Sequence, residues 1–254
     1  MQLRLLLEAA SRAVDKYCHR VFYAFSGTRY YAGAGSKLFL GEDDVLSLTS
    51  LKTDEDGDGT FENTLTKNTD YFLLPLNLFP KTRAELNPQG NYSGFGLGSI
   101  KGVQLVGLFG YGDSKSATPY SDSGITIVAD NATETELDVS AEGTLGVGHT
   151  ILVEAEQIYI TAATSDGTKK IMVTRAINGT TGAAHATKPA NVYSYPEEIQ
   201  EAAIMLAARL WKRKDSAYAQ VLATSELGTF SVFRGLDEDM KMLLSQYVKV
   251  KFFA

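Results

Sequence analysis

The sequence contains few of the residues that build catalytic and metal centres. Its 254 residues include three histidines, one cysteine and one tryptophan. None of the histidines, His19, His149 and His185, is spaced from another histidine, a cysteine or a carboxylate as metal ligands are. No Gly-x-Ser-x-Gly elbow, phosphate-binding loop or His-Glu-x-x-His motif occurs. The sequence therefore predicts no enzyme, no catalytic residue, no bound metal and no cofactor.

Long apolar runs, cysteine pairs and an excess of positive charge are missing as well. No apolar run is long enough to cross a bilayer, so no membrane partner is expected. The lone Cys18 excludes an internal disulfide and suits a reducing cytoplasm. Acidic residues outnumber basic ones, 30 to 24, and the formal net charge is −6. This balance argues against a broad basic face that grips phosphate backbones, although DNA could still pass the protein.

Glycine and aromatic residues are plentiful, and helical patterns occur near both ends of the chain. The 23 glycines, 13 tyrosines and 12 phenylalanines are typical of a protein rich in strands and turns. Apolar residues recur at three- and four-residue steps over 3–22, 195–214 and 236–248, which predicts three amphipathic helices. Asp237 is the predicted N-cap of the last helix.

Strand patterns fill the region between these helices. The clearest is VLSLTSLKT at 45–53, and further short strands continue to about residue 112. After a polar linker, strands and turns run on to residue 193, with a hairpin turn at Asp166 and Gly167. We therefore predict an α+β fold with the terminal helices packed against the first antiparallel sheet. One domain is expected at 1–113 plus 194–254, and an inserted all-β domain at 122–193, with its ends close together.

The stretch TDEDGDGTFE begins as a calcium-binding loop does. Asp54, Asp56 and Asp58 fall at every second position, and a glycine follows at once. Counted from Asp54, the twelfth position should carry a bidentate glutamate but is Leu65, and the flanks alternate as strands rather than helices. The sequence therefore favours an acidic tip of a β-hairpin, with a weak cation site as the alternative.

Taken together, several stretches resemble a known family. These are EAASRAVDKYCHRVFY, LFLGEDDVLSLTSLKTDEDGDGTFE, TDYFLLPLN, PEEIQEAAIMLAARLWKRK and LDEDMKMLLSQY. Their order resembles that of the head-to-tail connector, or adaptor, proteins of tailed bacteriophages and related gene-transfer particles. The resemblance covers about 1–112 and 194–254 and implies a connector-type helical domain. The inserted domain resembles small β modules of phage virion and tail proteins, and many connectors lack it.

The resemblance implies a structural virion protein of the neck, between capsid and tail, that assembles in the host cytoplasm. Such proteins form a homo-oligomeric ring, commonly dodecameric, that binds the portal protein and extends the DNA channel. The ring then carries a stopper or tail-completion protein, and packaged DNA passes through it without specific binding.

Two groups of residues follow from this resemblance as predicted contact sites. In the family the C-terminal segment docks on the portal, and here that segment is apolar and basic: Val248, Lys249, Val250, Lys251, Phe252, Phe253 and Ala254. The two phenylalanines could instead fold back on their own domain. The acidic hairpin would face the channel or the stopper with Asp54, Glu55, Asp56, Asp58 and Glu62.

A second function is open at this stage. The inserted β domain could recognise a carbohydrate or a host surface, because Tyr159, Tyr193 and Tyr195 are available aromatic residues. Two of these tyrosines alternate in one strand, which favours a role in the core instead.

Overall fold

A computed structural model describes most of the chain. The described residues are 2–33, 35–41, 43–96, 99–213, 221–224, 228–231 and 236–249. Contacts divide the chain into two compact units, Met1–Val21 with Tyr195–Ala254, and Phe22–Ser194. Within the described residues the protein is mostly β, with antiparallel sheets of four, three and six strands, one two-stranded hairpin and three short α-helices.

This architecture corrects the predicted fold class. The α+β class, with a connector-type helical domain as its main part, is wrong, because antiparallel sheets make up most of the regular secondary structure in the described chain. The periodic helical patterns gave the strongest local signals, whereas several strands of the sheets pair with partners that are distant in sequence, as β1 does with β7. The predicted domain boundaries, 1–113 plus 194–254 and 122–193, stay predictions.

The first unit, which we call the helical unit, contains helices from both ends of the chain. They are α1 (Gln2–Cys18), α2 (Glu197–Arg213) and α3 (Glu238–Leu244), and α3 continues into a 3-10 turn at Ser245–Tyr247. Four buried side chains form the centre of their contact: Ala10, Leu206, Ala207 and Met240. A separate hairpin in this unit pairs β14 (Val221–Thr224) with β15 (Gly228–Ser231).

Asp237 caps helix α3, as predicted. Its backbone is extended, and its Oδ1 atom accepts a hydrogen bond from the Met240 N–H at 3.0 Å. The other carboxylate oxygen accepts from the Arg209 guanidinium at 2.7 Å, so the cap also ties α3 to α2. The side chain thus satisfies one of the N–H groups that the first helical turn leaves without a partner.

The second unit begins with two sheets that share one core. The four-stranded sheet has the order β1-β7-β3-β4, with β1 at Phe25–Tyr31, β3 at Val45–Thr53, β4 at Asn63–Leu65 and β7 at Val103–Phe109. The three-stranded sheet has the order β2-β6-β5, with β2 at Lys37–Phe39, β5 at Tyr71–Leu74 and β6 at Arg83–Leu86. Alternate residues of both sheets enter the core, among them Leu38, Leu51, Leu73, Leu86 and Leu105.

Gly107 occupies a position in β7 that only glycine fits. A Cβ atom there would lie 2.2 Å from the Ser47 carbonyl oxygen of the neighbouring strand. Its partner on the other side is Gly27, where a Cβ atom would meet nothing closer than 3.7 Å. On this row of the sheet Gly27 and Gly107 carry no side chain, and Leu48 of β3 lies opposite Gly107 on its other side.

The six-stranded sheet forms a β module, defined here as residues 120–193. Its strand order is β8-β13-β10-β11-β12-β9. The strands are β8 (Tyr120–Ala129), β9 (Glu136–Asp138), β10 (Thr150–Val153), β11 (Glu156–Ala163), β12 (Lys170–Thr174) and β13 (Ala186–Tyr193). The predicted hairpin is confirmed as β11–β12, with Ile160 opposite Val173.

The two ends of the β module lie side by side. Tyr120, at the start of β8, pairs with Tyr193 at the end of β13. Just outside this pair, the Ser194 N–H donates to the Pro119 carbonyl at 2.8 Å. Two bonds connect the module to the start of the first sheet: Gln157 Nε2 donates to the Ala24 carbonyl, and the Ser26 N–H donates to the Asn178 carbonyl, both at 3.0 Å.

No helix in the described part of the chain is both long and apolar enough to cross a membrane.

Candidate functional site

The acidic loop, defined as residues 54–62, joins β3 to β4. The two strands pair next to it, with Thr53 opposite Asn63, so a hairpin is present as predicted. Asp54 is buried at the base of the loop. Its two carboxylate oxygens accept hydrogen bonds from the N–H groups of Gly57 at 2.7 Å and Gly59 at 2.9 Å. These bonds fold the nine-residue connection between the two strands.

The other loop carboxylates also accept bonds from the backbone. Asp56 accepts from the Asp58 N–H at 3.1 Å, Asp58 from the Thr60 N–H at 2.6 Å, and Glu62 from the Glu55 N–H at 3.0 Å. The bonds from Thr60 hold the pKa of Asp58 below its ordinary value. The geometry of the loop by itself therefore accounts for where these side chains lie.

Four carboxylates of the acidic loop converge. One oxygen from each of Asp54, Asp56, Asp58 and Glu62 lies within 4.8 Å of the others. Glu62 is the ninth residue counted from Asp54. The calcium-loop pattern considered in the sequence has its glutamate ligand at the twelfth position. Oxygen ligands gathered in this way suit a hard divalent cation, and without one they form a dense negative charge. Glu55 contributes its N–H group to this loop.

The predicted portal-docking segment lies largely outside the described residues. Val250, Lys251, Phe252, Phe253 and Ala254 are not among them. Val248 and Lys249 are described and half-buried.

The start of this segment is fixed to the helical unit. The Lys249 N–H donates to the Cys18 carbonyl at the end of α1 at 2.9 Å. Just before it, the Tyr247 hydroxyl donates to Glu198 of α2 at 2.7 Å. Lys249 therefore lies beside the last turn of α1.

The tyrosines considered for carbohydrate binding do not form an exposed platform. Tyr193 is buried, its hydroxyl donates to the Phe22 carbonyl at 2.7 Å, and its ring packs edge-on against Tyr120. Tyr159 and Tyr195 are half-buried. For Tyr193 the core role is confirmed.

A buried charged network, which sequence reasoning missed, lies in the β module. Arg175 donates to both oxygens of Glu156, at 2.8 and 2.6 Å, and to Asp130 at 2.8 Å. His185 places its Nε2 atom 2.9 Å from Glu156 and its Nδ1 atom 3.0 Å from Glu154. The side chains of Asp130, Glu156 and His185 are fully buried. The network thus connects the ends of four strands with one set of ionic bonds.

Glu156 is the centre of this network. Burial alone would raise its pKa, but bonds from Arg175, from the N–H groups of Ala183 and Ala176, and from His185 outweigh burial and lower the pKa to about 2. No spacing in the sequence connects these residues, because their contacts depend on the pairing of distant strands.

Lys81 forms a second arrangement that the sequence did not indicate. Its buried ammonium donates to the carbonyl oxygens of Pro75, Leu76 and Leu78, at 2.7, 2.8 and 2.8 Å. The Phe79 ring centroid lies 4.0 Å from the same nitrogen. Burial lowers the pKa of Lys81. This cage fixes the loop at 75–80 while Leu76 and Leu78 point outward, 63 % and 64 % exposed.

Comparison with known proteins adds no family to these observations: no protein-family model matches the chain, and no curated protein matches it significantly.

Proposed function

We propose that this protein is a structural head-to-tail connector of a phage neck. In this role its copies form a ring that binds the portal, extends the DNA channel and carries a stopper or tail protein. The proposal begins from the resemblance of the sequence to that family, and it needs no catalytic residue, cofactor or membrane. The setting is the virion neck, after assembly in the host cytoplasm.

The observation that carries the proposal is that the helices of the helical unit expose apolar side chains. Each of its three helices presents a large apolar side chain to solvent: Leu5 on α1, Ile204 on α2 and Met242 on α3. Burial of one such side chain contributes about 1.5–3 kcal/mol. An oligomer that buries these side chains in its subunit contacts gains this free energy in every copy, whereas a monomer does not.

The acidic loop supports the same role. Its four converging carboxylates, repeated around a ring, would create a band of negative charge. Towards the channel, such a band repels DNA phosphates and allows DNA to slide without being held. Towards the tail, it offers a complementary surface to a basic stopper protein.

Carbohydrate recognition by the β module has less support. One of its three candidate tyrosines, Tyr193, is buried in the core.

Assembly with portal rings tests the proposal. The full chain is mixed with portal rings of its own phage, and complexes are imaged by negative-stain electron microscopy and weighed by native mass spectrometry. We expect a second ring coaxial with the portal. A chain that stays monomeric and never associates with portal rings would contradict the proposal.

A truncation tests the portal-docking segment separately. Deletion of residues 248–254 should abolish portal binding, because this segment carries the predicted contact residues. Fluorescence of Trp211, which lies in α2, reports whether the helical unit still folds. If the truncated chain still decorates portals normally, the docking segment has been assigned wrongly.

A further inference from the structure

The hairpin of β14 and β15 forms a sheet of its own. Its residue pairs follow one another without a bulge, from Val221 opposite Ser231 to Thr224 opposite Gly228. Within the described residues no third strand is hydrogen-bonded to either strand. Each strand therefore has an outer edge of backbone N–H and C=O groups that no described strand pairs. An isolated two-stranded hairpin is at best marginally stable in water, which favours pairing with further strands.

The outer strands of the larger sheets carry features that prevent pairing with another chain. Strands β1, β2, β8 and β9 contain charged residues, namely Arg29, Lys37, Asp122, Glu136 and Asp138. Strand β4 has only three residues, and β5 is bridged at Tyr71 by Lys67. Natural proteins protect free edges with charges, proline or short strands. The sequences of β14 and β15, VLAT and GTFS, contain no charged residue and no proline, so their edges remain suited to pairing.

The hairpin of a second copy supplies the strand that each edge requires. Copies in a ring are related by rotation about its axis, and this rotation does not reverse a strand that runs along the axis. Strand β15 of one copy therefore meets β14 of the next copy in the antiparallel direction, as it meets β14 of its own chain. Rotation also leaves the height of each residue along the axis unchanged. Thr229 of one copy is therefore level with Ala223 of the next, as it is within one hairpin.

We propose that β15 of each subunit pairs with β14 of the next copy, so that the hairpins form one continuous antiparallel sheet around the ring. The strands of this sheet run along the ring axis. The inference rests on the proposed ring function and specifies one of its subunit contacts. The contact joins two different edges and is therefore heterologous, and its repetition around a closed ring leaves no free edge.

Disulfide trapping between two single-cysteine variants tests this pairing. Ala223→Cys and Thr229→Cys are prepared as separate full chains, one of them isotopically labelled, and are mixed before assembly and mild oxidation. These two residues lie opposite each other within one hairpin, so separate chains exclude an intramolecular bond between them. Neighbouring strands are about 4.7–4.9 Å apart, which suits a disulfide, whereas two strands of the same kind are separated by twice that spacing. We expect covalent heterodimers with one chain of each kind, and no homodimers.

Two controls accompany the trapping. Ala223→Cys mixed with Val147→Cys places the second thiol on an exposed residue of the β module, and it should give no heterodimer. The native Cys18 is buried, and burial raises the pKa of its thiol to about 11, so little of it is present as the reactive thiolate. Wild-type protein oxidised in the same way should therefore give no covalent dimer.

Hydrogen exchange of the wild-type chain provides a second measurement that needs no substitution. In a lone antiparallel pair, alternate N–H groups point outward and exchange freely, whereas a continuous sheet binds them. Assembly should therefore slow the exchange of these outward amides in 221–224 and 228–231 at least about tenfold. The amides of β9, an outer strand with charged residues, should exchange equally fast before and after assembly.

The outcomes separate this contact from the ring itself. Rings that show neither the heterodimer nor the slowed exchange, or only one of them, would overturn the hairpin contact and leave the ring function standing. Homodimers would also overturn it, because contact between two identical edges is isologous. A full chain that forms no ring, with or without portal rings, would overturn both proposals.

Discussion

Replacement of Glu156 by glutamine should destabilise the β module strongly. The carboxylate accepts five hydrogen bonds: two from Arg175, one from His185, and one each from the N–H groups of Ala176 and Ala183. Three of these donors converge on the Oε2 atom alone. A glutamine amide cannot accept at its nitrogen, so it would place N–H groups against N–H groups in a fully buried site.

The expected magnitude follows from the pKa of Glu156. The folded protein lowers it from 4.5 to about 2, and each unit corresponds to about 1.4 kcal/mol. The carboxylate therefore contributes about 3 kcal/mol at neutral pH, which agrees with the roughly 3–5 kcal/mol lost when a buried ion pair is broken. With a urea dependence of about 1–3 kcal/mol per molar, the unfolding midpoint should fall by at least about 1 M.

Urea unfolding of the full chain, followed by two signals, measures this effect. Far-UV circular dichroism reports the unfolding of the strands, whereas Trp211 fluorescence reports the unfolding of helix α2. The substitution should lower the urea midpoint seen by circular dichroism and leave the midpoint seen by fluorescence unchanged. Glu154→Gln is the matched control, since its side chain is 44 % exposed and solvent screens its ion pairs, so its loss should cost much less than the loss of Glu156. Equal midpoints for the Glu156 and Glu154 variants would refute the reasoning.

Three further predictions concern acid stability, the glycine pair of the four-stranded sheet and the acidic loop. Because folding lowers the pKa of Glu156, the stability that its carboxylate contributes is complete above about pH 5 and is lost as the pH falls towards about 2. An acid titration followed by circular dichroism should show this loss of stability in the wild type but not in Glu156→Gln. Gly107→Ala should lower the free energy of unfolding by about 1–3 kcal/mol, because the added methyl group overpacks the sheet. Gly27→Ala, at the cross-strand partner of Gly107, should lower it much less. Equal urea midpoints for the two variants would contradict this prediction. Asp56→Asn with Asp58→Asn should change the melting temperature by less than about 2 °C in EDTA. If millimolar calcium raised the melting temperature of the wild type but not of this double variant, the acidic loop would be a metal site.

Strands, helix caps and turns that depend on neighbouring residues could be predicted from the sequence. Alternation over 45–53 predicted a strand with the bounds that β3 has. Asp237 caps α3 because capping needs only a side-chain oxygen a few residues before the N–H group that it accepts from. The turn at Asp166 and Gly167 joins β11 to β12 because turn chemistry is local.

Features that depend on distant residues could not be predicted in this way. The fold class was wrong in part because some strands of the first two sheets pair over long separations, as β1 does with β7 and β2 with β6, and no single stretch indicates those pairings. Arg175 directly follows β12, whereas its partners Glu156 and Asp130 lie at the start of β11 and just after β8, so no local pattern connects the three. No local pattern indicates that Lys81 is buried, because only the folded loop provides the carbonyl groups that accept its hydrogen bonds.

The adjacent ends of the β module have an evolutionary consequence. The chain enters at Tyr120 and leaves at Tyr193 through paired residues, and Pro119 and Ser194 are already hydrogen-bonded to each other. A segment with such ends can be acquired or lost in a single genetic event, because the remaining chain needs only a short turn to close the gap. Related proteins with and without the module could therefore share the rest of this architecture, and the module could diverge rapidly while the surrounding chain is conserved.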